Sequence, residues 1–205
     1  MDITVITSIT GDYDKPKETR GQARFICFTN CHSGSYYWEI QPSYDQFKDQ
    51  RLNSRIHKIL SHKFVKSEYI IWVDGSIRLK CDPIELVELL NGKDVAFFAH
   101  PDRPEASPFT VFDEIDLALR RNTCDKRLLK EQRNEYKRIS KEHIYYGAII
   151  IRKNTQKTNR LFEEWWAEYC RYPTRDQLSL FKVFRGKAEI ITRDLADYAE
   201  HSGHN

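Results

Sequence analysis

Short apolar runs rich in β-branched and aromatic residues recur along this chain, with segments of helical spacing between them. That alternation constrains the fold more than any other feature. Strands are expected at residues 3–9, 24–28, 36–40, 69–73, 95–98, 145–151 and 188–192. The first ends at Thr10-Gly11-Asp12-Tyr13-Asp14 and the second at Thr29-Asn30, while the run at 145–151 carries Gly147 inside it. Between residues 44 and 64, Phe47, Leu52, Ile56, Ile59, Leu60 and Phe64 approximate a helical stripe, which puts Arg51, Arg55 and Lys58 on a neighbouring face. Asp82 as N-cap and Pro83 at the first helical position open a short helix. The charged segment 112–138 reads as one or two mostly exposed helices, and 159–172 and 176–184 read as two more. Strands alternating with helices predict an α/β chain folded as a three-layer α/β/α sandwich around a mainly parallel sheet. No repeat, low-complexity tract or linker divides it, so residues 1–205 are expected to form one domain.

Composition narrows the function classes. At 40% hydrophobic and 13% aromatic, the chain of 205 residues has the material for a core, which excludes a disordered or collagenous protein. No stretch approaches the roughly 18–20 consecutive apolar residues of a membrane span. Thirty-three basic residues against thirty acidic ones leave +3, and no basic stripe is interleaved with aromatics, so no nucleic-acid partner is expected. The first seven residues lack the basic region and long apolar core of a secretory leader and read as a strand. Five scattered cysteines then read as reduced thiols, which points to the cytoplasm. Cys27, Cys31 and His32 have no second Cys/His pair at zinc-finger spacing.

Open α/β sheets bind ligands beyond the carboxyl ends of their strands. Here those ends should hold residues 7–14, 29–32, 74–76 and 100–103, a mixture of carboxylates, hydroxyls, imidazole and guanidinium. Neither G-x-G-x-x-G after the first strand nor G-x-x-x-x-G-K-[ST] is present, which removes the dinucleotide-binding and P-loop readings. The most informative stretch is Tyr69-Ile70-Ile71-Trp72-Val73-Asp74-Gly75-Ser76-Ile77-Arg78-Leu79. Asp-Gly between apolar runs is a hairpin signal. A carboxylate ending a central strand also suits Mg²⁺ or Mn²⁺ bound together with substrate phosphates. The two readings are compatible.

The run Arg51-Leu52-Asn53-Ser54-Arg55-Ile56-His57-Lys58-Ile59-Leu60-Ser61-His62-Lys63-Phe64, followed by Ile71-Trp72-Val73-Asp74-Gly75-Ser76-Ile77, resembles the glycosyltransferase-like family of plant TOD1 and MUCI70 proteins and their microbial relatives. Later blocks agree: Asp94-Val95-Ala96-Phe97-Phe98-Ala99-His100-Pro101-Asp102-Arg103, Tyr146-Gly147-Ala148-Ile149-Ile150-Ile151-Arg152, Glu164-Trp165-Trp166-Ala167-Glu168 and Arg175-Asp176-Gln177-Leu178-Ser179. The resemblance implies a GT-A fold that binds a nucleotide-sugar donor, UDP by default, with Mn²⁺ or Mg²⁺ on the donor diphosphate. The usual signature there is Asp-x-Asp; this chain has Asp74-Gly75-Ser76, a hydroxyl in place of the second acid. Asp74 is then the expected ligand, and His201 and His204 in the tail are candidates to complete the shell, against a frayed polar terminus.

The same resemblance assigns the other groups. Arg55 and Lys58, or Arg51, would add positive charge beside the diphosphate, against a solvated helix face. Thr7, Ser8, Thr10 and Asp14 would hold base and ribose, with Tyr13 stacking, against a polar loop whose hydroxyls cap backbone groups. Gly75 and Ser76 would let the donor approach the turn, and His100, Asp102 and Arg103 would contact its sugar. Asp176 would be the catalytic base of an inverting transfer to a glycan acceptor. Thr174-Arg175-Asp176-Gln177 is equally a capping-box sequence that explains the acid without chemistry. Ser76 keeps open a non-catalytic module that binds nucleotide sugar or glycan on the same shell.

Overall fold

A computed structural model describes residues 1–11, 14–101, 109–139 and 142–202. In chain order the elements are β1 (Ile3–Ile9), β2 (Arg24–Thr29), β3 (Glu39–Pro42), α1 (Gln50–Ile59), β4 (Tyr69–Val73), β5 (Ile77–Leu79), α2 (Pro83–Glu88), β6 (Val95–Ala99), α3 (Val111–Arg121), α4 (Lys126–Glu135), β7 (Tyr145–Lys153), α5 (Gln156–Arg171), α6 (Asp176–Phe184), β8 (Glu189–Ile191) and β9 (Ala199–His201). The main sheet runs β3-β2-β1-β4-β7-β6-β8. Its pairings are parallel except at β7, which is antiparallel to both β4 and β6. With β2 on one side of β1 and β4 on the other, the strand order reverses at β1, and a crevice opens beyond the carboxyl ends of β1 and β4.

The central strands are buried on both faces, so they read as near-continuous apolar runs. On one face Ile6, Ile70, Trp72, Phe97 and Ile150 pack against α1, α3, α4, α5 and α6. On the other, Val5, Ile71, Val73 and Ile149 meet Leu86 and Val87 of α2 together with Ile77, Leu79 and Ala199 of a small antiparallel sheet, β5-β9. The helical layer is therefore thick on one side and thin on the other. Among the described residues no helix is long and apolar enough to cross a membrane.

The structure corrects several boundaries. The third strand begins at Glu39 rather than Tyr36, because Ser35 Oγ accepts the N–H groups of Tyr37 and Trp38 (3.2 Å each) and ties them into a turn. The helix expected from residue 44 starts at Gln50, where Asp49 accepts from the Arg51 N–H at 2.9 Å. The apolar residues before it are instead strapped onto α1: Asn53 bonds both backbone groups of Phe47, and His57 Nε2 accepts from the Tyr44 N–H at 2.9 Å. Within the 112–138 segment α4 is mostly exposed, as expected, but α3 is not: Glu114, Ile115 and Ala118 are buried there, and Leu129, Gln132 and Tyr136 anchor the rest to the core.

Two turn assignments also change. The Asp74-Gly75 turn closes through the Ile77 N–H on the Asp74 carbonyl (2.9 Å), yet β5 pairs with β9, so no hairpin forms with β4. The tail therefore continues as a strand as far as His201. The capping box at 174–177 is absent: Arg175 is the N-cap with no side-chain cap, and the Thr174 hydroxyl donates to Gln132 Oε1 at 2.7 Å. Gly147 stands where the β6–β7 register slips between Phe97 and Phe98, an irregularity of the kind that an interior strand glycine often marks.

His57 is almost wholly buried, stacks on Phe28 at 4.0 Å, and is held neutral by desolvation, which lowers its pKa from 6.5 to about 3. Between those values the unfolded chain binds the proton and the folded chain does not. Stability from this group is complete above pH 6.5 and drains as pH falls toward 3. Urea titrations should therefore show wild type losing about 2 kcal/mol more than His57→Gln between pH 7 and 5, since the amide takes up no proton.

Candidate active site

At the strand-order reversal lies a cleft of about 450 Å³. The end of β1 lines it with Ser8, Ile9, Thr10 and Gly11, and the end of β4 with Trp72, Asp74, Gly75 and Ser76. Asp14 adds a carboxylate, and the first turns of α1 supply Gln50, Arg51, Ser54 and Arg55. Parallel strands deliver the hydroxyls and acids to one edge, and Asp49 starts α1 where its guanidinium groups face them.

Asp74 is held by one oxygen. Trp72 Nε1 donates to Oδ1 at 2.6 Å and Lys58 Nζ lies 3.2 Å from the same atom. Oδ2 has no hydrogen-bond partner among the described residues, and the side chain is about one-third exposed (32%). Gly75 gives the turn its close packing: a Cβ there would stand 3.2 Å from Asp14 Oδ2 and 3.1 Å from Ile9. The carboxylate of Asp14 thus abuts the Asp74-Gly75 backbone. Ser76 is buried, and its carbonyl accepts both the N–H (2.9 Å) and the hydroxyl (3.1 Å) of Ser202. No group of three or more His, Cys, Asp or Glu gathers as a metal cage among the described residues. An outward carboxylate oxygen with a second carboxylate nearby fits a hard divalent cation that brings phosphate and water ligands with it.

Behind Asp74 sits Lys58, with a side chain only 2% exposed, and its Nζ also lies 2.7 Å from Asp176 Oδ2. Gly147 lies against it, and a Cβ there would stand in ordinary contact with Nζ at 3.5 Å. Arg55 Nε reaches the same Asp176 oxygen at 3.3 Å. Burial alone would raise the Asp176 pKa; Arg55 and Lys58, then Arg175, outweigh it and hold the group well below the usual carboxylate range. Burial opposes the charge on Arg55, but Asp176 and Asp74 outweigh it and raise its pKa. The result is a compact alternation of sign, Asp74–Lys58–Asp176–Arg55, beneath the cleft.

Of the residues expected from sequence, Ser8, Thr10, Asp14, Arg55, Asp74, Gly75 and Ser76 share the cleft, with Lys58 beneath it. Asp176 opens onto a neighbouring cavity on the other side of Arg55. Thr7 is buried, with its hydroxyl unpartnered among the described residues. His100 is stacked on Phe109 at 4.6 Å with Tyr146 at its edge, and is not among the residues that line the cleft. His201 pairs with Ile77 across β5-β9, one residue from Ser76. Tyr13, Asp102, Arg103 and His204 lie outside the described residues. Trp72, whose Nε1 fixes Asp74, is a site residue not expected from the sequence. Its signal was the two-residue spacing to Asp74, which puts both side chains on one face of β4.

The TOD1/MUCI70, glycosyltransferase-like domain matches this chain over residues 37–193. The chain is 27% identical over 161 residues to the probable hexosyltransferase MUCI70 of Arabidopsis thaliana, covering 71% of this chain and 27% of that protein. It therefore spans about a quarter of that relative's length. Among solved structures it resembles the apo-form glycosyltransferase GlyE of Streptococcus pneumoniae TIGR4, with a TM-score of 0.56 and 9% identity, over 93% of this chain and 45% of the other. It also resembles the apo bifunctional glycosyltransferase WbbM, with a TM-score of 0.52 and 12% identity, over 95% of this chain and 39% of the other. These likenesses and the sheet order identify the fold as GT-A.

Replacing Lys58 by Met should leave two carboxylates without the ammonium between them, with Arg55 and, more weakly, Arg175 to balance them. Removing one partner of such a buried group costs about 3 kcal/mol, measurable by urea denaturation at pH 7. The gap to wild type should narrow below about pH 4, where unfolded wild-type carboxylates take up protons that the folded Asp176 does not.

Proposed function

The chain belongs to the TOD1/MUCI70 glycosyltransferase-like family, and from that premise we propose that it transfers a hexosyl group from a nucleotide-sugar donor, UDP-linked, to a glycan acceptor with inversion. The observation that carries this is the outward Oδ2 of Asp74, at the end of β4, facing a cleft whose opposite wall is Arg51 and Arg55. A diphosphate needs cationic groups on more than one side, and this cleft presents two guanidinium groups opposite a cation-binding carboxylate.

In this reading Asp74 and the tail at His201 hold Mn²⁺ or Mg²⁺, with His204 as a further candidate ligand. The ion, when bound, neutralises charge that develops on the leaving diphosphate. Arg55 and Arg51 hold the diphosphate from the α1 side, and Lys58 keeps the carboxylates below it fixed. Ser8, Thr10 and Asp14 hydrogen-bond base and ribose at the mouth of β1, with Tyr13 as the stacking candidate. Asp102 and Arg103, together with His100, remain assigned to the donor sugar.

Asp176 takes the acceptor hydroxyl proton as the new bond forms. Its ion pairs keep it deprotonated at neutral pH. They also make it a weak base, so the proton moves late, once bond formation has made the hydroxyl acidic. A module that binds without turnover remains the second reading, favoured by Ser76 where a second acid is usual.

Asp74→Asn should retain the circular dichroism spectrum while abolishing Mn²⁺-dependent UDP binding in calorimetry. Unaltered affinity would take Asp74 out of the site. Asp176→Asn should bind UDP and Mn²⁺ as wild type does but slow transfer roughly 100-fold or more. Wild-type turnover would dismiss it as the base. Donor binding with neither hydrolysis nor transfer in the native protein would select the module.

A further inference from the structure

Arg51 and Arg55 wall two cavities. Across them from the Asp74 cleft lies a smaller one of about 160 Å³, whose other polar walls include Tyr169, Thr174, Arg175 and Asp176. Its hydrogen-bonding inventory is lopsided. Arg55 points Nε at Asp176 and Arg175 donates Nε to Glu114 at 2.7 Å, which leaves both terminal nitrogens of each guanidinium uncommitted among the described residues. Arg51 gives Nε and one terminal nitrogen to Asp49 and the other to the Thr123 carbonyl at 3.3 Å, and so keeps one N–H on each terminal nitrogen. Tyr169 is 2% exposed, and its hydroxyl has no hydrogen-bond partner among the described residues. The one carboxylate on these walls, Asp176, already receives Lys58 and Arg55 on Oδ2.

Donors therefore converge on a space with little to accept them. A neutral sugar hydroxyl both gives and takes a hydrogen bond, whereas a carboxylate or phosphate only takes, and its geometry matches the guanidinium fork. We infer that this cavity is a subsite for an oxyanion carried by the acceptor glycan, a carboxylate or a phosphate group, held by Arg51, Arg55, Arg175 and the Tyr169 hydroxyl. The assignment to the acceptor rests on the glycosyltransferase reading above. The donor diphosphate, placed at Asp74, lies on the other side of Arg55, and Asp176 faces the acceptor from within the subsite.

The test is calorimetry on the whole chain with glucuronate, glucose 6-phosphate and glucose, each with and without saturating UDP and Mn²⁺. One of the two acids should bind roughly tenfold or more tightly than glucose, and should do so whether or not UDP and Mn²⁺ are present. Glucuronate as the stronger ligand identifies a carboxylate, and glucose 6-phosphate a phosphate. Tyr169→Phe keeps the buried ring and Arg175→Lys keeps the charge opposite Glu114, so both should fold. Each should weaken the preferred acid several-fold. Glucose binding as well as either acid, both variants binding as wild type, or displacement of the acid by UDP with Mn²⁺ would each overturn the subsite; in the last case Arg51 and Arg55 serve the donor alone. Failure of UDP itself to bind would strike the donor assignment alone, and the comparison of acid with glucose would still decide the cavity.

Discussion

The ammonium of Lys58 lies between the carboxylates of Asp74 and Asp176 where water barely reaches, and much of the surrounding architecture makes that burial tolerable. A charge withdrawn from solvent persists only with opposite charge and hydrogen bonds close at hand. Three chain segments meet that need: α1 brings the lysine, the end of β4 brings one acid, and the start of α6 brings the other. Gly147 on β7 packs beside the ammonium, and the Trp72 ring lies 5.6 Å from Nζ. Fixing one ion therefore fixes the spacing of helix, strand and helix at the edge where a ligand enters.

The α6 end of this arrangement is braced from an unexpected direction. Asp176 sits in the first turn of α6, where the helix dipole favours an anion. The two residues before it are held by α3 and α4: Glu114, 1% exposed, pairs with Arg175, and Gln132, fully buried, accepts from Thr174. Trp165 Nε1 donates to the Asp176 carbonyl at 3.2 Å from α5. Charged and amide side chains are rarely this buried unless paired. Here their partners are the residues that lead into the acid, so the α3–α4 unit acts as scaffold for the site as well as surface.

What could be read from the chain followed from which signals are local. Apolar runs at 3–9, 69–73 and 145–151 announced the sheet because strands buried on both faces need no alternation, and Asp82-Pro83 announced α2 because a cap and its helix are adjacent. Asp74 was legible from its place at the end of a central strand, whereas Asp176, and the choice of Arg55 among the α1 cations, came through a family pattern, because their meeting with Asp74 depends on contacts between distant segments. The same holds for the errors. Thr174-Arg175-Asp176-Gln177 has the composition of a capping box, but Gln132 competes for the threonine hydroxyl from 42 residues away and wins. Asp74-Gly75 has the composition of a hairpin turn, but the partner of β5 is a three-residue strand at the far end of the described chain. The charged character of 112–138 concealed Glu114 and Gln132, since polarity predicts exposure only where no partner waits inside.

Position 76 shows how fold and chemistry constrain each other. The Asp-x-Asp pattern would put a second acid there, yet this residue is 7% exposed and its carbonyl anchors the tail through Ser202. A carboxylate in that enclosure would lose hydration, and Lys58, the buried cation behind Asp74, is already shared by Asp74 and Asp176. A serine hydroxyl carries no such penalty. Negative charge is instead brought from beyond the end of β1, at Asp14, whose Oδ2 lies 3.2 Å from where a side chain on Gly75 would begin. A larger residue at Gly75 would begin in tight contact with Ile9 and Asp14 and would press on one of the two carboxylates that line this cleft among the described residues.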